Sequence, residues 1–233
     1  MQANTILSDI DACVFDAYGT LFDINAATRR CRDALGEAAD GVSEIWRRKQ
    51  LEYSWLRSLR GDYVDFWHVT GEALDFALAS FGVTDFALRA RLMECYLILA
   101  PYPEANAVLA ALRERRMRTA ILSNGSPSML VAALQNSGFD LLLNEFISVD
   151  EVRIYKPHPS VYQLAVDRLH VPAGRIAFVS ANGWDALGAA HFGFRVVWLN
   201  RAGAQRDTLP GVIAAEIASL DALPELLAPA AQP

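Results

Sequence analysis

Short runs of Val, Ile, Leu and Phe punctuate this chain and alternate with stretches whose apolar residues recur every three or four positions. The runs fall at 11–16, 118–123, 145–149, 175–180 and 195–199, with a sixth candidate at 213–217. Continuous apolar runs of this length predict strands buried on both faces, as in a parallel sheet covered by helices. The intervening spacing predicts helices over 104–116, 127–137, 159–169 and 184–192. Strand and helix alternating with short links make an α/β fold: a doubly wound parallel sheet of Rossmann-like type.

Between about 24 and 100 no strand pattern fits. Ile45, Trp46, Leu51, Trp55 and Leu59, then Phe66, Leu74, Phe76 and Leu78, then Leu88, Leu92, Tyr96 and Leu99 follow helical spacing. The expected division is an α/β core domain, 1–23 with 101–233, and an inserted α-helical cap domain, 24–100. The insertion leaves just after Asp16 and returns at Pro101-Tyr102-Pro103, which predicts a cap over the carboxyl edge of the strands, where open α/β sheets bind ligands. The tail 227–233 is expected to fray.

The chain has 233 residues, 53% of them hydrophobic, enough for a large core, and a net charge of -6. That balance argues against nucleic acid as a partner, which would call for a basic excess gathered on one face. Arg29, Arg30, Arg32, Arg47, Arg48, Lys49, Arg57 and Arg60 make the start of the insertion locally basic; most are expected on solvated faces. Cys13, Cys31 and Cys95 lack metal-ligand spacing and read as reduced, structural thiols. No apolar segment reaches membrane-spanning length and no signal-type N-terminus is present, so the cytoplasm is the expected location and no membrane partner is expected.

Four polar clusters close successive predicted strands: Asp16-Ala17-Tyr18, Ser123-Asn124-Gly125, Tyr155-Lys156-Pro157 and Ser180-Ala181-Asn182-Gly183-Trp184-Asp185. Strand order would bring all four to one rim. Asp16, where a buried strand meets a glycine-permitted turn, is a candidate nucleophile. Thr20 is placed to hydrogen-bond inside that turn and to reach its carboxylate.

On these residues the chain resembles the haloacid dehalogenase superfamily and, within it, the L-2-haloacid (type II) dehalogenases. The superfamily pieces are Phe15-Asp16-Ala17-Tyr18-Gly19-Thr20-Leu21-Phe22-Asp23, Ile121-Leu122-Ser123-Asn124-Gly125 and Tyr155-Lys156-Pro157. Tyr18, the stretch Trp46-Arg47-Arg48-Lys49-Gln50-Leu51-Glu52-Tyr53-Ser54-Trp55 and Asn182-Gly183-Trp184-Asp185 resemble the dehalogenase branch. Superfamily phosphatases carry a second aspartate, a general acid, two residues after the nucleophile, and bind magnesium. Here Tyr18 stands at that position; a phenol with a reference pKa near 10 cannot protonate a leaving group at neutral pH, and a halide needs no proton. The resemblance therefore implies attack by Asp16 on C2 of a small 2-haloacid, with no metal or other cofactor, and a homodimer.

The resemblance also assigns expected roles. Lys156 partners Asp16. Ser180, Asn182 and Asp185 order Lys156 and the hydrolytic water. Ser123, with the amides around Asn124 and after Asp16 at Ala17 and Tyr18, anchors the substrate carboxylate; capping of the helix near Ser126 is an alternative role for Ser123. Arg47, Asn124 and Trp184 cradle the halide. Tyr162 lies near the nucleophile or packs in the core, and Leu51, Phe66 and Trp184 line an apolar slot for the alkyl group. Asp185 alternatively acts as a carboxylate at a helix N-terminus.

Two departures stand out at the last cluster. Ala181 removes a hydroxyl, and Gly183 replaces an expected alanine and is expected to loosen the loop. His158, where an acidic residue is common, is expected to be peripheral. A magnesium-dependent phosphatase, drawing on Asp23 or Asp185 for a cation, and a non-catalytic binding scaffold remain alternative readings.

Overall fold

The computed structural model describes residues 7–227. Among them, β1 (Ala12–Phe15), β2 (Arg118–Ser123), β3 (Glu145–Ser148), β4 (Ile176–Ser180), β5 (Arg195–Leu199) and β6 (Ile213–Ile217) form one parallel sheet in the order β3-β2-β1-β4-β5-β6. All six predicted strands are present, the candidate at 213–217 included. β1 is buried along its whole length, as its unbroken apolar run requires. It pairs with β2 through Phe15 opposite Ile121 and with β4 through Phe15 opposite Val179. The chain thus winds outward from β1 in both directions, and the strand order reverses at β1 and β4, where such sheets open a crevice at their carboxyl ends.

Between β1 and β2 run α1 (Ala26–Arg30), α2 (Arg32–Leu35), α3 (Ala39–Arg60), α4 (Phe66–Ser80), α5 (Phe86–Leu97) and α6 (Ala105–Glu114). The first five make the predicted helical layer, and α6 belongs to the sheet. In the layer, α3 packs along α4: Trp46 Nε1 donates to Thr70 O (2.9 Å), Gln50 Nε2 donates to Thr70 Oγ1 (2.8 Å), and Arg57 grips Glu72 with two bonds of 2.9 and 2.8 Å. The outgoing and returning chains pair where they leave the sheet. Phe22 bridges Pro101, Asp23 N donates to Ala100 O (3.0 Å), and Tyr102 N donates to Leu21 O (2.9 Å).

The rest of the sheet is covered by α7 (Pro127–Ser137), α8 (Pro159–Leu169) and α9 (Gly183–Phe192), with α10 (Leu223–Leu226) closing the described chain. α7 and α8 both begin on a proline, whose fixed φ suits the first helical position. His158 caps α8: its Nδ1 accepts from Ser160 N (3.3 Å). The tail expectation needs correction at its first residue. Leu227 is buried and bridges Leu7, and Leu7 N donates to Leu226 O (2.6 Å); residues 228–233 lie outside the described residues.

Phe22 is fully buried at the crossing between sheet and helical layer, its ring 5.4 Å from that of Phe139. Phe22→Ala is expected to destabilise the fold by about 3–5 kcal/mol, the usual cost of deleting a core aromatic. Urea denaturation followed by circular dichroism measures it.

Candidate active site

β1 ends at Phe15, but Asp16 still donates its amide to Val179 O of β4 (2.9 Å), so the ladder fixes its backbone. The chain then turns through Gly19 at φ 88°, a conformation that favours glycine. The Ala17 carbonyl accepts from Leu21 N (2.9 Å) and Phe22 N (3.0 Å), which closes the turn. The amides of Ala17 and Tyr18 donate to no group among the described residues, which leaves two N–H groups available to an anion.

Three side chains donate to the Asp16 carboxylate. Lys156 Nζ reaches Oδ1 (3.1 Å); Asn182 Nδ2 (2.8 Å) and Thr20 Oγ1 (3.2 Å) reach Oδ2. Thr20 in turn accepts from Ala181 N (2.9 Å), so the expected contact within the turn also ties β1 to the end of β4. Lys156 is 1% exposed, and its Nζ makes a second bond to Asp185 Oδ2 (2.9 Å) and lies 5.1 Å from the Phe178 ring centroid. Its backbone N–H donates to Asn124 Oδ1 (3.0 Å), which joins the second and third clusters. Asp185, fully buried, accepts from Ser180 Oγ (3.1 Å) and from the Tyr162 hydroxyl (2.8 Å).

Burial disfavours charge on both Lys156 and Asp185. At Lys156 burial is outweighed by Asp16 and Asp185, which raise its pKa and keep the ammonium protonated. At Asp185 burial prevails, with Asp16 adding to it against Lys156 and Tyr162, and pushes the carboxyl up to about 6. The group is ionised at neutral pH and poised to take a proton just below it. Burial also raises the Tyr18 hydroxyl well above its usual value, which removes it further from acid chemistry near neutrality.

The helical layer contributes one cation. Arg47 of α3 extends across to Asn182 Oδ1 (3.1 Å) and is held from behind by Gln50 Oε1 (2.9 Å), while Arg48 points to solvent. Gln50 is buried and also donates to the Tyr96 hydroxyl (3.1 Å); the Tyr96 ring stacks on Tyr18 at 5.6 Å. Neither Gln50 nor Tyr96 was singled out from the sequence. The one available signal for Gln50 was its position three residues after Arg47, on the same helix face.

Other expected residues fall at one remove from Asp16. Tyr162 is buried against Phe178, Phe192 and Phe194, and its hydroxyl bonds Asp185 rather than Asp16. Ser123 Oγ accepts from Gly125 N (3.0 Å), so it shapes the turn after β2 and does not cap α7, whose N-cap is Ser126. Asp185 lies in the first turn of α9, but its hydrogen bonds give it more than a dipole role. Phe66 is buried between Tyr18 (6.0 Å) and Tyr155 (5.8 Å). Trp184 packs edge-on against Trp55 (5.3 Å) in a cleft of about 530 Å³, which it shares with Lys156 and Pro157. Leu51 and Phe66 do not line that cleft, so the expected slot is not one continuous wall. A side chain at Gly183 would meet the Asp207 carboxylate at 2.8 Å. His158 caps α8 and also lines the cleft that holds Trp184 and Lys156.

An aspartate paired with a buried lysine at the switch of a doubly wound parallel sheet, with a helical insertion after the first strand, makes an α/β site of the kind that carries hydrolytic chemistry. The model of the haloacid dehalogenase-like hydrolases matches residues 10–193, and the chain belongs to that family. It is 47% identical to (S)-2-haloacid dehalogenase 1 of Pseudomonas sp. (strain CBS-3), over 95% of this chain and 98% of that one. It is 44% identical to (S)-2-haloacid dehalogenase 4A of Burkholderia cepacia, over 96% and 97%. A solved structure of the Xanthobacter autotrophicus L-2-haloacid dehalogenase with chloropropionic acid covalently bound superposes with a TM-score of 0.87 at 38% identity, covering 93% of this chain and 98% of that one.

The acid limb of kcat/KM is expected at an apparent pKa of about 6, activity falling as pH drops through that value and Asp185 takes up a proton. Tyr162→Phe removes a bond that favours the ionised carboxylate, so its limb should lie at higher pH than that of the unaltered protein. Parallel pH–rate profiles of the two proteins check both statements.

Proposed function

We propose that this enzyme hydrolyses short L-2-haloalkanoic acids to D-2-hydroxy acids, with inversion at C2, through an aspartyl ester on Asp16. One observation carries the reading: Lys156, Thr20 and Asn182 hold the Asp16 carboxylate, Arg47 reaches in beside them, and Tyr18 stands where phosphoryl transfer would need an acid. The naming of the relatives as (S)-2-haloacid dehalogenases supports the substrate class.

In the first step an Asp16 oxygen attacks C2 from the side opposite the halogen. The C–O bond forms as the carbon–halogen bond breaks, and its electron pair leaves with the halide. Both reactants are anions, so their repulsion has to be offset by fixed donors. Ser123 and the amides of Ala17 and Tyr18 receive the substrate carboxylate, Arg47 with Asn124 and Trp184 receives the halide, and Leu51 and Phe66 bound the alkyl group. In the second step water adds to the aspartyl carbonyl carbon and the acyl–oxygen bond breaks, restoring Asp16. Asp185, Ser180 and Asn182 order Lys156 and this water. One water is consumed; one halide and one proton are released.

No cation enters this scheme. The Lys156 ammonium occupies the gap between the Asp16 and Asp185 carboxylates, and Tyr18 offers no carboxylate ligand in place of the missing aspartate. The helical layer, residues 24–100, acts as a cap domain over the core formed by 1–23 and 101–233. A homodimer is the expected assembly, and Leu56, Leu59 and Phe76, exposed on α3 and α4, offer it an apolar face. Three free cysteines suit a reducing compartment, the cytoplasm, and no helix of the described residues is long and apolar enough to cross a membrane.

Purified protein is expected to release halide from L-2-chloropropionate and not from the D form, with no effect of excess chelator. Asp16→Asn should lower that release by on the order of 10⁴-fold or more, as loss of a nucleophile does. Release that requires magnesium, or no release from either enantiomer, would overturn the assignment. Leu59→Glu should shift the dimer toward monomer in light scattering at micromolar concentration, and an unchanged mass would argue against this face.

A further inference from the structure

One half-buried arginine outside the four clusters touches the turn that carries Asp16. Arg201 lies just beyond β5, and its side chain is 20% exposed. Its guanidinium spans two elements. Nη2 donates to the Thr20 carbonyl (3.0 Å), and Nη1 pairs with Glu104, the residue that opens α6. The Tyr102 ring lies 3.8 Å from Cζ on the returning chain, close enough for a cation–π contact. The Nε atom is buried with no hydrogen-bond partner among the described residues, a cost that its neighbours must offset to keep the group in place.

Thr20 is thus held at both ends. Its carbonyl is gripped by Arg201, and its hydroxyl bridges Asp16 Oδ2 (3.2 Å) and Ala181 N (2.9 Å). Its neighbour Leu21 accepts from Tyr102 N (2.9 Å), so the same turn is tied to the chain returning from the helical layer. A shift of the Thr20 backbone would carry its hydroxyl away from Asp16, and in-line displacement tolerates little misplacement of the attacking group.

We propose that Arg201 is a positioning residue for the nucleophile, acting through Thr20 and anchored by Glu104 and Tyr102. The proposal rests on the reading of Asp16 as the attacking group. The planar fork matters, because a lysine ammonium cannot reach Glu104 and the Thr20 carbonyl with the same geometry.

Arg201→Lys keeps the charge and removes the fork. It should lower kcat for L-2-chloropropionate by about tenfold while KM stays within about twofold, the pattern of a lost positioning contact. In a Thr20→Val background the same substitution should cost less than about twofold, because the route through the hydroxyl is already broken. An equal loss in both backgrounds, or an unchanged kcat, would overturn the proposal. Hydrogen exchange at the Ala181 amide gives a readout without substrate. Exchange should quicken by about tenfold in Arg201→Lys while the Val14 amide in β1 keeps its protection. Unchanged exchange at Ala181 sinks the positioning role whatever the substrate proves to be, whereas failed halide release by the unaltered protein sinks only the dehalogenase reading. If Arg201→Lys does not fold, Glu104→Gln loosens the same guanidinium and should show the same dependence on Thr20; additive losses there would count against the clamp.

Discussion

A single ammonium group holds the reaction centre together. Lys156 Nζ is buried between Asp16 and Asp185, 3.1 Å from one and 2.9 Å from the other; Asp185 has no exposed surface and Asp16 very little. Taking three ionised groups out of water is unfavourable unless each finds partners. The surrounding polar side chains supply them: Thr20 and Asn182 for Asp16, Ser180 and Tyr162 for Asp185. The triad alone carries one net negative charge. Arg47 brings the local sum to zero, so an incoming carboxylate does not meet an unbalanced anion. The cation that balances the triad therefore comes from the helical layer and not from the sheet.

The central strands of the sheet were legible because they are buried on both faces. Such strands leave unbroken apolar runs, as Ala12-Cys13-Val14-Phe15 does along the whole of β1. The rim followed from the sheet: once β1, β2 and β4 are parallel neighbours, polar residues just past Phe15, Ser123 and Ser180 must share one edge. Asp16, Lys156, Asp185, Asn182 and Thr20 were all brought together as expected.

Contacts that depend on side-chain direction were less legible. Ser123 lies in the expected cluster, but its hydroxyl turns back to Gly125 N, a choice set by local dihedrals that composition does not encode. Gly183 read as a loosening of the loop, yet its missing side chain makes room for Asp207, a residue 24 positions further on. Gln50 backs Arg47 from three residues along the same helix, a local spacing that many surface pairs share. Tyr96 and Arg201 meet Tyr18 and Thr20 from other elements, and the pairing of Arg201 with Thr20 spans 181 positions. Long-range pairing of this kind leaves no local periodicity.

Asn182 is the N-cap residue of α9, yet its side chain caps nothing. The amide is turned outward to Asp16 and Arg47, so the helix forgoes a cap of the kind worth about 1 kcal/mol elsewhere. The same side chain cannot serve the helix and the carboxylate at once. Screening variants for heat resistance alone would therefore favour changes here that return the side chain to the helix, at the expense of its hold on Asp16. Position 182 is where the durability of a helix and the seating of a buried carboxylate pull on one residue in opposite directions.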